Sequence, residues 1–278
     1  MRSGQDCGTI PFTVCSLYHI RILIASSFHG LRFFVHGLQK ETAQNHHLYQ
    51  VRKDLGSMKQ IDDGYYSWLV EAATFDEALD MPCMAAPKQW EIPKNLIPFS
   101  KTTYSANCEE YIHFYEHDVV FRNFLRNPEA YIERFYKFPG IITPDCSLYR
   151  DMPLILQMAN TYMSRSVGCY LQGQGLNVIP NVRWGDERSY LPGITDIPFA
   201  FLGIEKHSIV AVSTYGCIRG GENKKHFHDG FYSMLEFLKP EIVLIHGAMP
   251  EDVFSDMPTD FQCAHYEDWT TQKRKKVG

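Results

Sequence analysis

The chain has 278 residues, 45% of them hydrophobic, and a formal net charge of −5. That is enough chain for one large domain or two small ones, and enough apolar content to exclude wholesale disorder. The mildly acidic total argues against a general nucleic-acid coat while leaving room for a local basic groove.

Residues 1–57 differ from the rest. They hold six Lys/Arg against three acids, a net of +3 that leaves −8 for the remainder. The stretch reads as a poorly ordered extension, or as translated upstream sequence with the natural start at Met58; an Arg-rich, acid-poor targeting peptide is the alternative. Its apolar part is broken by His19, Arg21, His29, Arg32 and His36, so no run approaches the roughly 18 residues that span a membrane. The eight cysteines are scattered, with neither a CxxC pair nor zinc-finger spacing. That usage predicts reduced thiols in a cytoplasmic protein.

Residues 58–84 form a helical lead-in, with Trp68, Leu69, Ala72, Phe75 and Leu79 near helical spacing. Prolines at 82, 87, 93 and 98 then impose an irregular segment at the start of a main domain over residues 85–270. A helical unit follows around Val119 to Leu125, and a second opens at Asn127-Pro128, an N-cap followed by a first-turn proline. Gly140 to Thr143 reads as a short buried strand. Residues 151–175 read as a helix capped by Asp151 and stopped by Gly173 and Gly175. "LNVIPNVRW" is a second strand, "IPFAFLGI" a third and "SIVAVSTYG" a fourth. A Gly-rich loop, "CIRGGENKKHFHDG", leads to the helix "FYSMLEFLKP" and the last strand, "EIVLIHG". Residues 271–278 are a basic tail. The alternation predicts an α/β fold with a mainly parallel sheet flanked by helices; a half-barrel is the architectural alternative.

Parallel α/β sheets and barrels bind ligands beyond the carboxyl ends of their strands. Those ends carry Asp145, Ser147 and Tyr149; Asn181, Arg183, Trp184, Asp186 and Glu187; Ser213 and Tyr215; and His246. Asp145 and Asp186 suit a hard divalent metal such as Mg²⁺, or acid/base work. Asp145 also suits a turn-closing aspartate, and Asp151 a helix cap. Ser213, His246 and Asp145 could form a hydrolase triad, although no G-x-S-x-G elbow is present. Arg165 and Lys225 would offset substrate charge, and Lys225 sits in a Gly-rich loop opening a helix, a setting that favours phosphate. That loop lacks the P-loop ending and the dinucleotide spacing. Tyr149, Asn181 and Trp184 complete the ligand-binding set.

The stretches "WEIPKNLIPFSK", "YIHFYEHDVVFRNFLRNPEAY", "FPGIITPDCSLYRDMPLILQMANTYMSRSVG", "VIPNVRWGDERSY", "SIVAVSTYG" and "LKPEIVLIHG" resemble, in order, domain-of-unknown-function family 4417. That is a family of bacterial, phage and mobile-element proteins, and the likeness covers roughly residues 90–247. It implies a bacterial or phage setting and supplies no catalytic residues. Residues 191–198 read as extra sequence, and Leu202 stands where an acid is expected before Gly203. Together these readings predict a protein that binds or acts on a phosphorylated ligand, a nucleotide or nucleic acid. The alternative is a non-catalytic interaction protein for a host or phage partner.

Overall fold

The computed structural model describes residues 66–88, 90–105, 109–191, 197–269 and 271. The extension over 1–57, the proposed start at Met58 and the basic tail beyond Thr271 lie outside the described residues. Within the lead-in, the expected helix is replaced by a 3-10 turn, Ser67–Val70, and a small antiparallel pair, Thr74–Phe75 (β1) with Pro82–Cys83 (β2). Asp76 explains the replacement: its carboxylate accepts the N–H groups of Ala78, Leu79 and Met81. A side chain that takes up nearby amides in this way competes with the helix.

Seven parallel strands follow, in strictly sequential order. They are Leu96–Pro98 (β3), Tyr111–His113 (β4), Ile141–Ile142 (β5), Val178–Ile179 (β6), Ile209–Ser213 (β7), Ile242–His246 (β8) and Gln262–Tyr266 (β9). The first four pair with one another, as do the last three. The Asn181–Ala211 bridge joins the two sets, with Val182 N–H to Ala211 O at 2.8 Å and Ala211 N–H to Pro180 O at 2.9 Å. Among the described residues, the helices Asp118–Arg126 (α1), Ile132–Phe135 (α2), Leu154–Gly173 (α3), Gly221–Leu238 (α4) and Glu251–Phe254 (α5) cover the outside.

The sheet is rolled. Strands β4 and β8 are four steps apart, about 19 Å in a flat sheet at ~4.8 Å per step. Yet the rings of His113 on β4 and His246 on β8 lie 4.7 Å apart. The outermost strands also meet, where Tyr266 Oη on β9 donates to the carbonyl of Pro93, just before β3, at 2.5 Å. The period-2 alternation of each strand explains the curl. Leu96, Tyr111, Ile142, Ile179, Ile209, Ala211, Ile242 and Leu244 pack together on the inside. Their neighbours Ile97, Ile112, Ile141 and Val178 face one outer layer, and Val210, Val212, Val243 and Ile245 another. The α/β reading thus holds, and the roll is that of the half-barrel alternative.

Further elements differ from the sequence reading. "IPFAFLGI" contains a 3-10 turn, Phe199–Phe201, whose three residues are buried against the outer layer. The Gly-rich loop is shorter than expected, because α4 begins at Gly221 and takes in Lys225 and His226. Asp151 does not cap α3; Pro153 occupies that position without a side-chain bond.

Candidate functional site

The inward alternation continues past the carboxyl ends of the strands and there turns polar. After Tyr111 come His113 and Tyr115; after Ile179 come Asn181 and Arg183; after Ala211 comes Ser213; after Leu244 comes His246. Six polar or aromatic groups are thereby delivered to one rim of the barrel.

Two neighbouring sets form there. The first closes the barrel axis. Tyr115 stacks on His246 at 4.6 Å and 22°, and His113 lies against both rings. His113 Nδ1 accepts the Tyr115 N–H, and Tyr115 Oη donates to Asn181 Oδ1 at 3.1 Å. Burial holds His113 well below the usual imidazole range, helped by His246, and pushes the Tyr115 phenol well above its own. Burial lowers His246 to about 4 against the pull of Asp268. Both imidazoles are therefore neutral at ordinary pH.

Asn181 links this plug to the second set. Its Nδ2 donates to Asp145 Oδ1 at 2.9 Å, and Arg183 Nη1 donates to Asp145 Oδ2 at 3.2 Å. Burial pushes the Asp145 carboxyl up, opposed by Arg183 and Asn181. Burial also pulls on Arg183, but Asp145 keeps the guanidinium firmly charged.

Arg183 and Ser213 open onto a cleft of about 690 Å³ beside the axis, between the ends of β5, β6 and β7 and the first turns of α4. Tyr149, Trp184 and Phe227 give it aromatic wall; Arg150, Arg188, Asp186, Cys217 and His226 add polar groups. Asp186 is held by the Arg188 guanidinium at 2.6 and 2.9 Å, by the Arg188 N–H at 2.9 Å and by Gln157 Nε2 at 3.0 Å. Although burial raises it, these donors bring its carboxyl below the ordinary range. Arg150 bonds Glu222 at 2.7 Å and Asn223 at 3.1 Å. Glycine is required next to this wall: a Cβ on Gly230 would meet the Trp184 ring at 2.2 Å.

Of the residues chosen from sequence, Tyr149, Trp184, Asp186 and Ser213 line the cleft. Asp145, Asn181 and His246 stand behind it, linked to it through Arg183 and Ser213. Arg165 is elsewhere in purpose. It is 1% exposed, and its guanidinium donates to the carbonyls of Leu202, Asn181 and Ala200 at 2.9–3.0 Å. Lys225 faces solvent and pairs with Asp229 one turn on. Asp145 is bound to Arg183 rather than to His246; the carboxylate acting on His246 is Asp268. Among the described residues no group of three or more His, Cys, Asp or Glu is placed to hold a metal ion. His113, Tyr115 and Cys217 were missed. The alternation in "YIHFY" was the signal for the first two, since it continues the inward phase of β4.

The rolled parallel sheet flanked by helices defines an α/β protein with a cleft at the carboxyl edge of its strands. The chain belongs to the family described as Domain of unknown function (DUF4417), whose model matches residues 73–266. It is 27% identical over 188 residues to the Gene 1 proteins of Mycobacterium phage L5 and Mycobacterium phage D29. The match takes in 68% of this chain, 75% of the L5 protein and 64% of the D29 protein. The domain is thus one found in phage proteins. No solved structure matches the chain. Among the described residues no helix is long and apolar enough to cross a membrane.

Proposed function

We propose that the rim cleft binds a phosphorylated ligand of nucleotide or nucleic-acid type, in a cytoplasmic setting. The observation that carries this reading is Arg183. It is a largely buried guanidinium on the cleft wall, fixed from behind by Asp145 through one of its five donors. A planar fork held in place with donors to spare suits a phosphate, and ordering it in advance lowers the cost of binding. The wall of Tyr149, Trp184 and Phe227 suits a flat base. Asp145 and Asn181 are then positioning groups.

The test is thermal denaturation of the full chain with nucleoside mono- and triphosphates and short oligonucleotides, with and without Mg²⁺. A ligand that binds the folded chain raises Tm by mass action. The wild type should respond, and Arg183→Gln should need at least about tenfold more ligand, the scale of a lost charged hydrogen bond. Absence of any response in the wild type would remove this reading.

One observation favours a second reading, a non-catalytic protein that docks a host or phage protein. Val119, Val120, Tyr149, Ile155 and Leu156 are exposed at the starts of α1 and α3 and in the loop before α3. Those helix starts are tied together by Ser147, which donates to Asp118 and accepts from Asn160. A partner held there would be lost on Ile155→Asp while the nucleotide response stayed.

A further inference from the structure

We propose that Ser213 and His246 form a nucleophile–base pair that attacks the phosphoryl group of an ester held in the cleft. The proposal rests on the binding reading above and adds a reaction to it.

The geometry is that of an activated hydroxyl. Ser213 Oγ lies 3.0 Å from His246 Nδ1 and accepts the Tyr215 N–H at 3.1 Å. In the Nε2–H tautomer of the imidazole, which the pair requires, Nδ1 accepts the hydroxyl proton while Oγ still accepts the Tyr215 N–H. The ring cannot swing away, because Tyr115 and His113 pack against it. The groups that act on it from its surroundings are His113, His265 and the carboxylate of Asp268. Burial keeps the imidazole neutral, so the acceptor is available across the physiological range.

Ser213 also opens onto the cleft, next to two sources of positive potential. One is Arg183. The other is the turn Thr214 to Cys217, closed by Cys217 N–H to Thr214 O at 3.0 Å. Gly216 takes the left-handed third position of that turn at φ 77°. Its N–H has no acceptor among the described residues, and Gly216 lines the cleft. An amide and a guanidinium lining the same cleft as the held hydroxyl are donors of the kind that developing phosphoryl charge requires.

The step balances. Ser213 Oγ forms the bond to phosphorus as its proton passes to His246 Nδ1, and the ester oxygen leaves with its electron pair and takes that proton. Water then attacks the phosphoserine, giving its proton to Nδ1. Serine leaves and recovers that proton, and phosphate is released.

The test uses an alkyl fluorophosphonate on the full chain, read by intact mass and peptide mapping. The bond to phosphorus forms as fluoride departs, which mimics the first half of the reaction. The expected result is one adduct, on Ser213, absent in Ser213→Ala. The rate should fall at least about 100-fold in His246→Gln, the lower range for losing a general base. The wild-type rate should stay level from pH 8 to pH 6, where an ordinary imidazole would already be charging. Melting curves establish that both variants fold. No adduct, an adduct elsewhere, or an unchanged rate in His246→Gln overturns the pair. A wild type that binds nucleotide without labelling overturns the pair alone; labelling without nucleotide binding upholds the pair and overturns the nucleotide reading.

Discussion

The two halves of the barrel are built differently. Strands β3 to β6 have two or three residues each, whereas β7 to β9 have five. The long half is held by its ladders, with five registered pairs on each side of β8. The short half relies on aromatic packing outside: Phe99, Phe114, Phe124 and Phe135 have ring centroids 5.0–6.2 Å apart beneath α1 and α2. Side chains also take over ladder duties there, as where Thr143 Oγ1 accepts the Asn181 N–H at 2.8 Å. The candidate site lies along the seam between the halves. Where backbone pairing runs out, polar side chains take up the main-chain groups, and such side chains are what a site is made from.

The seam is the place to break this arrangement. Arg165→Met should have the largest effect, a loss of roughly 3 kcal/mol or more in urea unfolding, because three buried carbonyls would lose their donor. A loss below about 1 kcal/mol would show that the seam holds by backbone pairing alone. The plug between β4 and β8 gives the next effect. The folded value of His246, about 4, lies below its ordinary 6.5, so the unfolded chain takes up the proton first. Stability is therefore complete above about pH 6.5 and falls as pH drops from 6.5 to 4, by about 3 kcal/mol for this group. His113 acts in the same direction. Denaturant midpoints across that window measure the slope, and a flat profile would mean the two imidazoles are not jointly buried. Lys225→Ala should do least. Its pair with Asp229 is largely exposed, which puts the change within about 0.5 kcal/mol, with ligand response unaltered.

The same contrast explains what could be read in advance. The runs "SIVAV" and "EIVLI" are long and β-branched, and both are strands; α3 is long enough for its limits to be found within about three residues. β3 went unseen among the prolines at 93 and 98, β4 because its three residues merge into the helical unit that follows, and β9 because Gln262–Tyr266 is too polar to show a strand pattern. The strand-end rule located Asp145, Asn181, Ser213 and His246 but could not say which touch. The Asp145–Arg183 pair joins residues 38 apart in sequence. Arg165 and Lys225 show the limit of reading charge as function. One cation was needed by backbone carbonyls formed far along the chain, and the other fell on the outer face of a helix that began earlier than its glycines suggested.

The bond from Tyr266 to the Pro93 carbonyl has a consequence for how the sheet closes. β3 and β9 are the terminal strands of the sheet, and among the described residues no ladder joins them. Here one phenol links the end of β9 to the carbonyl of Pro93, just before β3, without a ladder between the strands. A single hydroxyl thus ties the two ends of the sheet together where no ladder does.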